Sequence, residues 1–188
     1  ANYFKVNNDD IYFYGSSGGG AAAIHCAGLI EGSTAMVINP QIFLNQYHYA
    51  KVFKSITGID LALVDKWHRE DLSYFILNSP KSRFLIVSNM ESPDDAVQIL
   101  SLSKRMGQNL LYGINRFGNV GIWLYDVYTK NTPLHNAQED QTLYFAIDHL
   151  AKTLKTGKDW DDMKDTYWVI SELWRQKAML LDKMKDSK

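Results

Sequence analysis

"FYGSSGGGAAAIHC", residues 13–26, carries an aromatic run through a series of small residues into an alanine-rich stretch. That succession is the pattern of a β-strand turning sharply into an α-helix. A tight turn needs one glycine, and this junction holds Gly15, Gly18, Gly19 and Gly20 with Ser16 and Ser17 among them. The spacing Gly15-x-Ser17-x-Gly19 places Ser17 at the centre of a G-x-S-x-G motif. Between a strand and a helix this motif holds a serine hydroxyl out as a nucleophile, and the residues two positions away on each side are small to avoid clashing with it. Ser16 does not occupy the centre. The backbone N–H of Gly18, at the helix N-terminus, is placed to help hold an oxyanion, and Gly20 eases the start of the helix against the sheet. A glycine-rich turn that only packs a helix closely on a strand is the bland alternative. Nucleotide binding fits less well, because no lysine follows the glycines and "GSSGGG" does not match G-x-G-x-x-G.

Outward from that junction, "DIYFYG" (10–15) reads as the strand and "GGGAAAIHCAGLIEG" (18–32) as the helix, closed by Gly32. "STAMVINPQ" (33–41) is a second strand stopped at Asn39-Pro40, and "SRFLIVSNM" (82–90) a third. Helical stretches at about 41–57 and 61–78 form an insertion between them. "SPDDAVQILSLSKRMG" (92–107) is a helix with acids in its first turn and a closing glycine. "QNLLYGINRFGNVGIWLYDVYT" (108–129) is a hairpin turning at 116–119, and two helices follow at about 139–155 and 161–185. Short apolar strands alternating with helices predict an α/β fold, a mostly parallel sheet with helices on both faces, as one domain over 1–188. In such sheets ligands bind beyond the carboxyl ends of the strands. The chemistry is therefore expected at 15–20, 39–41, 89–95 and 129–136.

The chain of 188 residues is 46% hydrophobic, enough for a sizeable core. Its 20 basic and 21 acidic residues are well mixed, so no global field recruits nucleic acid. The lone Cys26 excludes an intrachain disulfide and suits a reducing compartment. No stretch approaches the length of a membrane span and the first residues lack the apolar core of a signal peptide, so the expected location is cytoplasmic. No metal or cofactor is expected.

A serine needs a base, because its hydroxyl does not ionise at neutral pH. His25 and His149 lie in helical patterns, and His48 and His68 in the insertion. His135 stands in a polar loop after the last strand, where a base can swing over the strand ends. The orienting acid is expected after the third strand, where Glu91, Asp94 and Asp95 are available. Asp94 is the first choice, Glu91 and Asp95 are the alternatives, and Asp126 on the last strand is a fallback. Asp94 and Asp95 could equally be helix N-terminal charges.

Ser17, a loop acid and His135, in that order, resemble the second half of an α/β-hydrolase. The resemblance covers most of the chain: elbow, helix, strand, insertion, strand with acid, helix, strand, histidine loop. "YGSSGGGAAAIHCAGLIEGSTAMVINPQ" (14–41) is similar, more narrowly, to bacterial serine-esterase-like proteins associated with surface polysaccharides and glycosylated surface proteins, in which a "GSS-x-GG … NPQ" pattern recurs. The resemblance implies a serine esterase or O-acyltransferase acting on a glycan or related ester through an acyl-enzyme. Tyr47, Tyr49, Trp67 and Tyr74 in the insertion would stack on a sugar ring or else pack the helices. Its alternative is a non-catalytic hydrolase-like accessory protein of surface polysaccharide or glycoprotein biosynthesis or export. The chain departs from the family in having only a short stretch before the elbow. The missing strands normally supply half of the sheet and the second oxyanion donor. The strand at 11–14 then becomes an apolar edge, so the expectation is either that the sequence is a fragment of a longer protein or that a second copy or another chain covers that edge.

Overall fold

A computed structural model describes residues 5–47, 49–63, 70–125 and 135. The chain divides into two compact units, 1–138 and 139–188, and every described residue belongs to the first. The helices expected at 139–155 and 161–185 lie outside the described residues, as do His48, Trp67, His68, Asp126 and His149.

The fold is α/β, built on one mostly parallel five-stranded sheet. Strand β1 (Tyr12–Ser16) leads directly into helix α1 (Ser17–Leu29), and β2 (Thr34–Ile38) follows. Helices α2 (Ala50–Thr57) and α3 (Ser73–Asn78) precede β3 (Arg83–Asn89), and α4 (Pro93–Met106) follows it. β4 (Gly113–Phe117) and β5 (Val120–Tyr125) form a hairpin that closes the described series. The sheet order is β1-β2-β3-β5-β4, with only β4 antiparallel. Among the described strands β1 is one edge, and Tyr14 on it is exposed.

One face of the sheet, through Ala35, Val37, Phe84, Ile86, Val120, Ile122 and Leu124, shares a core with Ala23, Ile24 and Ala27 of α1, Phe75 and Ile76 of α3, and Ile99 and Leu102 of α4. Each large apolar side chain so buried contributes about 1.5–3 kcal/mol relative to exposure. The alternate residues Ile38, Leu85, Val87, Trp123 and Tyr125 are buried too. Central strands buried on both faces explain why β2 and β3 read as continuous apolar runs rather than as alternating ones.

Among the described residues the insertion is less helical than its periodicity predicts. In place of helices over 41–57 and 61–78 it has a short helical turn at Leu44–Gln46, α2, another turn at Leu61–Leu63, and the six-residue α3. The reason is tertiary. Ile42 and Phe43 give their N–H groups to the buried side chain of Gln98 on α4, at 2.9 and 2.6 Å, and Phe43 returns its carbonyl to the Gln98 amide at 3.2 Å. The segment is therefore held extended at its start, and a β-bridge pairs Phe43 with Asp71.

α1 lies close to the sheet because of two glycines. A Cβ on Gly15 would stand 2.3 Å from the Gly19 carbonyl oxygen, and one on Gly20 would stand 3.0 Å from Pro40. Gly19 differs from the motif's expectation, since a Cβ there meets nothing within 4 Å. The crowding at the elbow falls on the strand side, where Gly15 admits the helix backbone.

Candidate active site

Ser17 is the first residue of α1, and its φ of 52° lies in the left-handed region. For a non-glycine residue that conformation costs about 1–2 kcal/mol, and such strain gathers at functional sites. The fold thus puts the hydroxyl at the carboxyl end of β1 and the Gly18 N–H in the first turn of the helix. Ser17 Oγ accepts a hydrogen bond from the Gln41 side-chain amide at 3.0 Å, and its carbonyl accepts the Gln41 backbone N–H at 3.3 Å. It also shares a hydrogen bond with the Tyr47 hydroxyl. Burial raises the pKa of that phenol and the Ser17 bond opposes the rise, with Tyr49, Asp94 and Asp95 adding smaller upward effects.

The histidine in question is held at both ends. His135 Nδ1 lies 2.8 and 3.0 Å from the two carboxylate oxygens of Asp95. The hydrogen bond that Nδ1 donates to Asp95 raises the imidazole pKa above 6.5, desolvation opposes it, and the charges of Asp95 and Asp94 add to the rise. At its other end the His135 carbonyl accepts a hydrogen bond from the Asn39 side-chain amide at 2.8 Å. Asn39 is fully buried, left-handed at φ 44° and followed by proline. Two further hydrogen bonds secure it there: its N–H donates to the Val87 carbonyl at 2.8 Å, and its Oδ1 accepts the Asn89 N–H at 2.8 Å. His135 Nε2 is buried and makes no hydrogen bond among the described residues.

The acid beside the histidine is Asp95, in place of the first-choice Asp94. Asp95 is 3% exposed, whereas Asp94 and Glu91 point to solvent. Helix geometry is the reason. Asp95 shares its face of α4 with Gln98, Ile99 and Leu102, three, four and seven residues on, all of them buried. Asp94 stands about 100° away around the helix. That spacing was present in the sequence and was the available signal. His25 packs edge-on against Phe75, with ring centres 4.9 Å apart, and takes a structural place on α1.

Two attachments converge on the turn after β2. Asn39 holds the residue that carries the imidazole, and Gln41, two residues on, holds the serine. Tyr47 joins them electrostatically, because its phenol bonds Ser17 and feels the charge of Asp95. Ser17 Oγ and His135 Nε2 are not themselves hydrogen-bonded. The sequence expected chemistry at 39–41 and stacking at Tyr47, but gave Asn39, Gln41 and Tyr47 no role in holding the serine or the histidine, since an amide or a phenol has no diagnostic spacing.

Beside Gln41 and Tyr47 opens a cleft of about 450 Å³, lined also by Leu44, Tyr49, Phe53 and the buried Glu70. Tyr47 and Tyr49 meet edge to face with centres 5.3 Å apart. Tyr74 is exposed and packs on Phe75, away from the cleft lining. Among the described residues no cluster of His, Cys, Asp and Glu could hold a metal ion, and no helix is long and apolar enough to cross a membrane. No family model matches the chain, and no curated protein matches its sequence.

Proposed function

We propose that the chain is an α/β-hydrolase-like serine esterase or O-acyltransferase, with Ser17 as nucleophile, His135 as base and Asp95 as the orienting acid. The observation that carries the reading is the His135 imidazole, bound by Asp95 at Nδ1 and with a buried Nε2 that has no partner among the described residues. A carboxylate on Nδ1 fixes the tautomer whose Nε2 accepts a proton and stabilises the imidazolium that results. The strained Ser17 at a strand-to-helix turn supplies the matching nucleophile.

The chemistry runs in two halves. Ser17 Oγ bonds to the ester carbon while its proton passes to His135 Nε2 and the carbonyl π pair moves onto oxygen. Collapse of that tetrahedral species expels the alkoxide, which takes the proton from His135 and leaves an acyl-Ser17. A water, or the hydroxyl of an acceptor, then repeats the sequence with its own proton and releases the acyl group. Tyr47, Tyr49 and Phe53 give the cleft aromatic walls suited to a sugar ring or an apolar acyl group, which supports a glycan or related ester as substrate.

A second reading, a hydrolase-like binding protein without turnover, is favoured by one observation: Ser17 and His135 are not hydrogen-bonded. Catalytic hydrogen bonds often tighten only when substrate binds, so labelling separates the two. A fluorophosphonate probe is expected to modify the full chain at Ser17, and Ser17→Ala and His135→Ala are expected to abolish labelling. A folded wild-type chain that stays unlabelled would leave the binding-protein reading.

A further inference from the structure

The serine-hydrolase reading leaves one requirement unmet. A tetrahedral oxyanion is usually held by two donors, and the elbow supplies one, the N–H of Gly18. The family resemblance places the second donor in strands before the elbow. The turn after β2 offers another source.

Gln41 is bound to Ser17 twice, by its side-chain amide to Oγ at 3.0 Å and by its backbone N–H to the carbonyl at 3.3 Å. Its Oε1 lies 3.7 Å from where a Cβ on Gly18 would stand. The amide group therefore extends from the Ser17 hydroxyl to Gly18. The oxyanion must form in that neighbourhood, because its oxygen is carried by the carbon that Oγ attacks. Gln41 is also fixed from both sides. Pro40, just before it, packs on Gly20, and Ile42, just after it, is pinned by the buried Gln98 side chain. A donor set in place before the reaction needs no reorganisation as charge develops, which is what makes such donors effective.

We propose that Gln41 is a catalytic residue whose side-chain N–H, together with the backbone N–H of Gly18, forms the oxyanion hole. The proposal rests on the serine-hydrolase reading. As the Ser17 Oγ–carbon bond forms, the carbonyl π pair moves onto oxygen and the serine proton passes to His135 Nε2. Gln41 shifts its N–H from Oγ to that oxygen and neither gains nor loses a proton. When the intermediate collapses, the pair returns to the carbonyl and the leaving alkoxide takes the proton from His135. The described chain then carries both oxyanion donors itself. Gln41 also lines the cleft, so the same residue connects the acyl position with the aromatic walls.

The test uses the full chain, 4-nitrophenyl acetate as substrate and an alkyl trifluoromethyl ketone as a tetrahedral mimic. Gln41→Met keeps the side-chain length and removes the N–H. It is expected to lower kcat about 10²–10³-fold, the loss seen when one oxyanion donor is removed, with KM changed much less. Affinity for the ketone is expected to fall by a similar factor, which a purely structural role would not produce. Gln41→Glu keeps the shape of the amide and is expected to lose at least as much, so a folding defect in the methionine variant does not decide the outcome. Tyr47→Phe removes the other hydroxyl at Ser17 and is expected to lower ketone affinity less than Gln41→Met does. Wild-type kcat and ketone affinity in both Gln41 variants would overturn the proposal, as would a loss confined to Tyr47→Phe. If the wild-type chain labels at Ser17 and turns over, such a result removes Gln41 alone; if it does neither, the hydrolase reading and this proposal fall together.

Discussion

Asp95 acts on His135 through a short contact to Nδ1, and the pH behaviour of the site follows from it. The bond favours the imidazolium and raises the pKa above 6.5. In the proposed mechanism only the neutral ring can take the Ser17 proton. Ester hydrolysis is therefore expected to rise with pH, with a midpoint in kcat/KM above that ordinary value. Asp95→Asn should move the midpoint down and lower kcat by up to about 10⁴-fold, because the tautomer is no longer fixed. Asp94→Asn should shift the midpoint slightly and leave kcat near wild type, since Asp94 is exposed and exerts the smallest of the effects on the ring. A pH-rate profile of the two variants separates them. The exchange of Asp94 for Asp95 shows what a sequence conceals at this scale. Two adjacent acids in a first helical turn have the same electrostatic rationale, and only the direction of the buried face tells them apart. Gln98, Ile99 and Leu102 carried that direction, with a glutamine among them blurring the apolar stripe.

At the scale of elements, the junction of β1 and α1 was the most legible part of the chain, because its signal is local. Aromatic residues, glycines and alanines act within a few positions of one another. The insertion was the least legible. Its helical periodicity was real for Ala50–Thr57, while the stretch before it is held extended by Gln98, more than fifty residues away. No local pattern reports a bond of that span. The glycines of the elbow divide in the same way. Gly15→Ala is expected to destabilise by about 1–3 kcal/mol or more, since its Cβ would overlap the Gly19 carbonyl. Gly19→Ala faces open space inside a helix and is expected to stabilise by about 0.5–1 kcal/mol. Urea unfolding midpoints of the two variants would check the contrast, and a destabilised Gly19→Ala would return that glycine to the role the motif gives it.

For the molecule as a whole, the Asp95–His135 pair enters the folding equilibrium. A histidine whose pKa is raised by folding contributes stability that is fully present below its unfolded value, and the contribution is lost as pH rises through the folded value. The stability gap between wild type and Asp95→Asn is therefore expected to be widest below about pH 6.5 and to narrow above it, as read from urea unfolding at a series of pH values. A gap that widened with pH would contradict the raised pKa. The parallel sheet itself was readable because β2 and β3 are apolar on both faces, which only a doubly covered strand tolerates. The bonds that gather the site were not, because they join distant turns.

That distance has a consequence for how the protein comes into being. The Asn39–His135 bond closes a separation of 96 residues, and Asp95–His135 one of 40. During synthesis the serine turn emerges long before its histidine. Domains fold as units once enough chain is available, and closures this long are slow relative to local structure. On the proposed serine-hydrolase reading, a nascent chain that has already formed the elbow holds an inert serine, and reactivity arrives only when His135 docks.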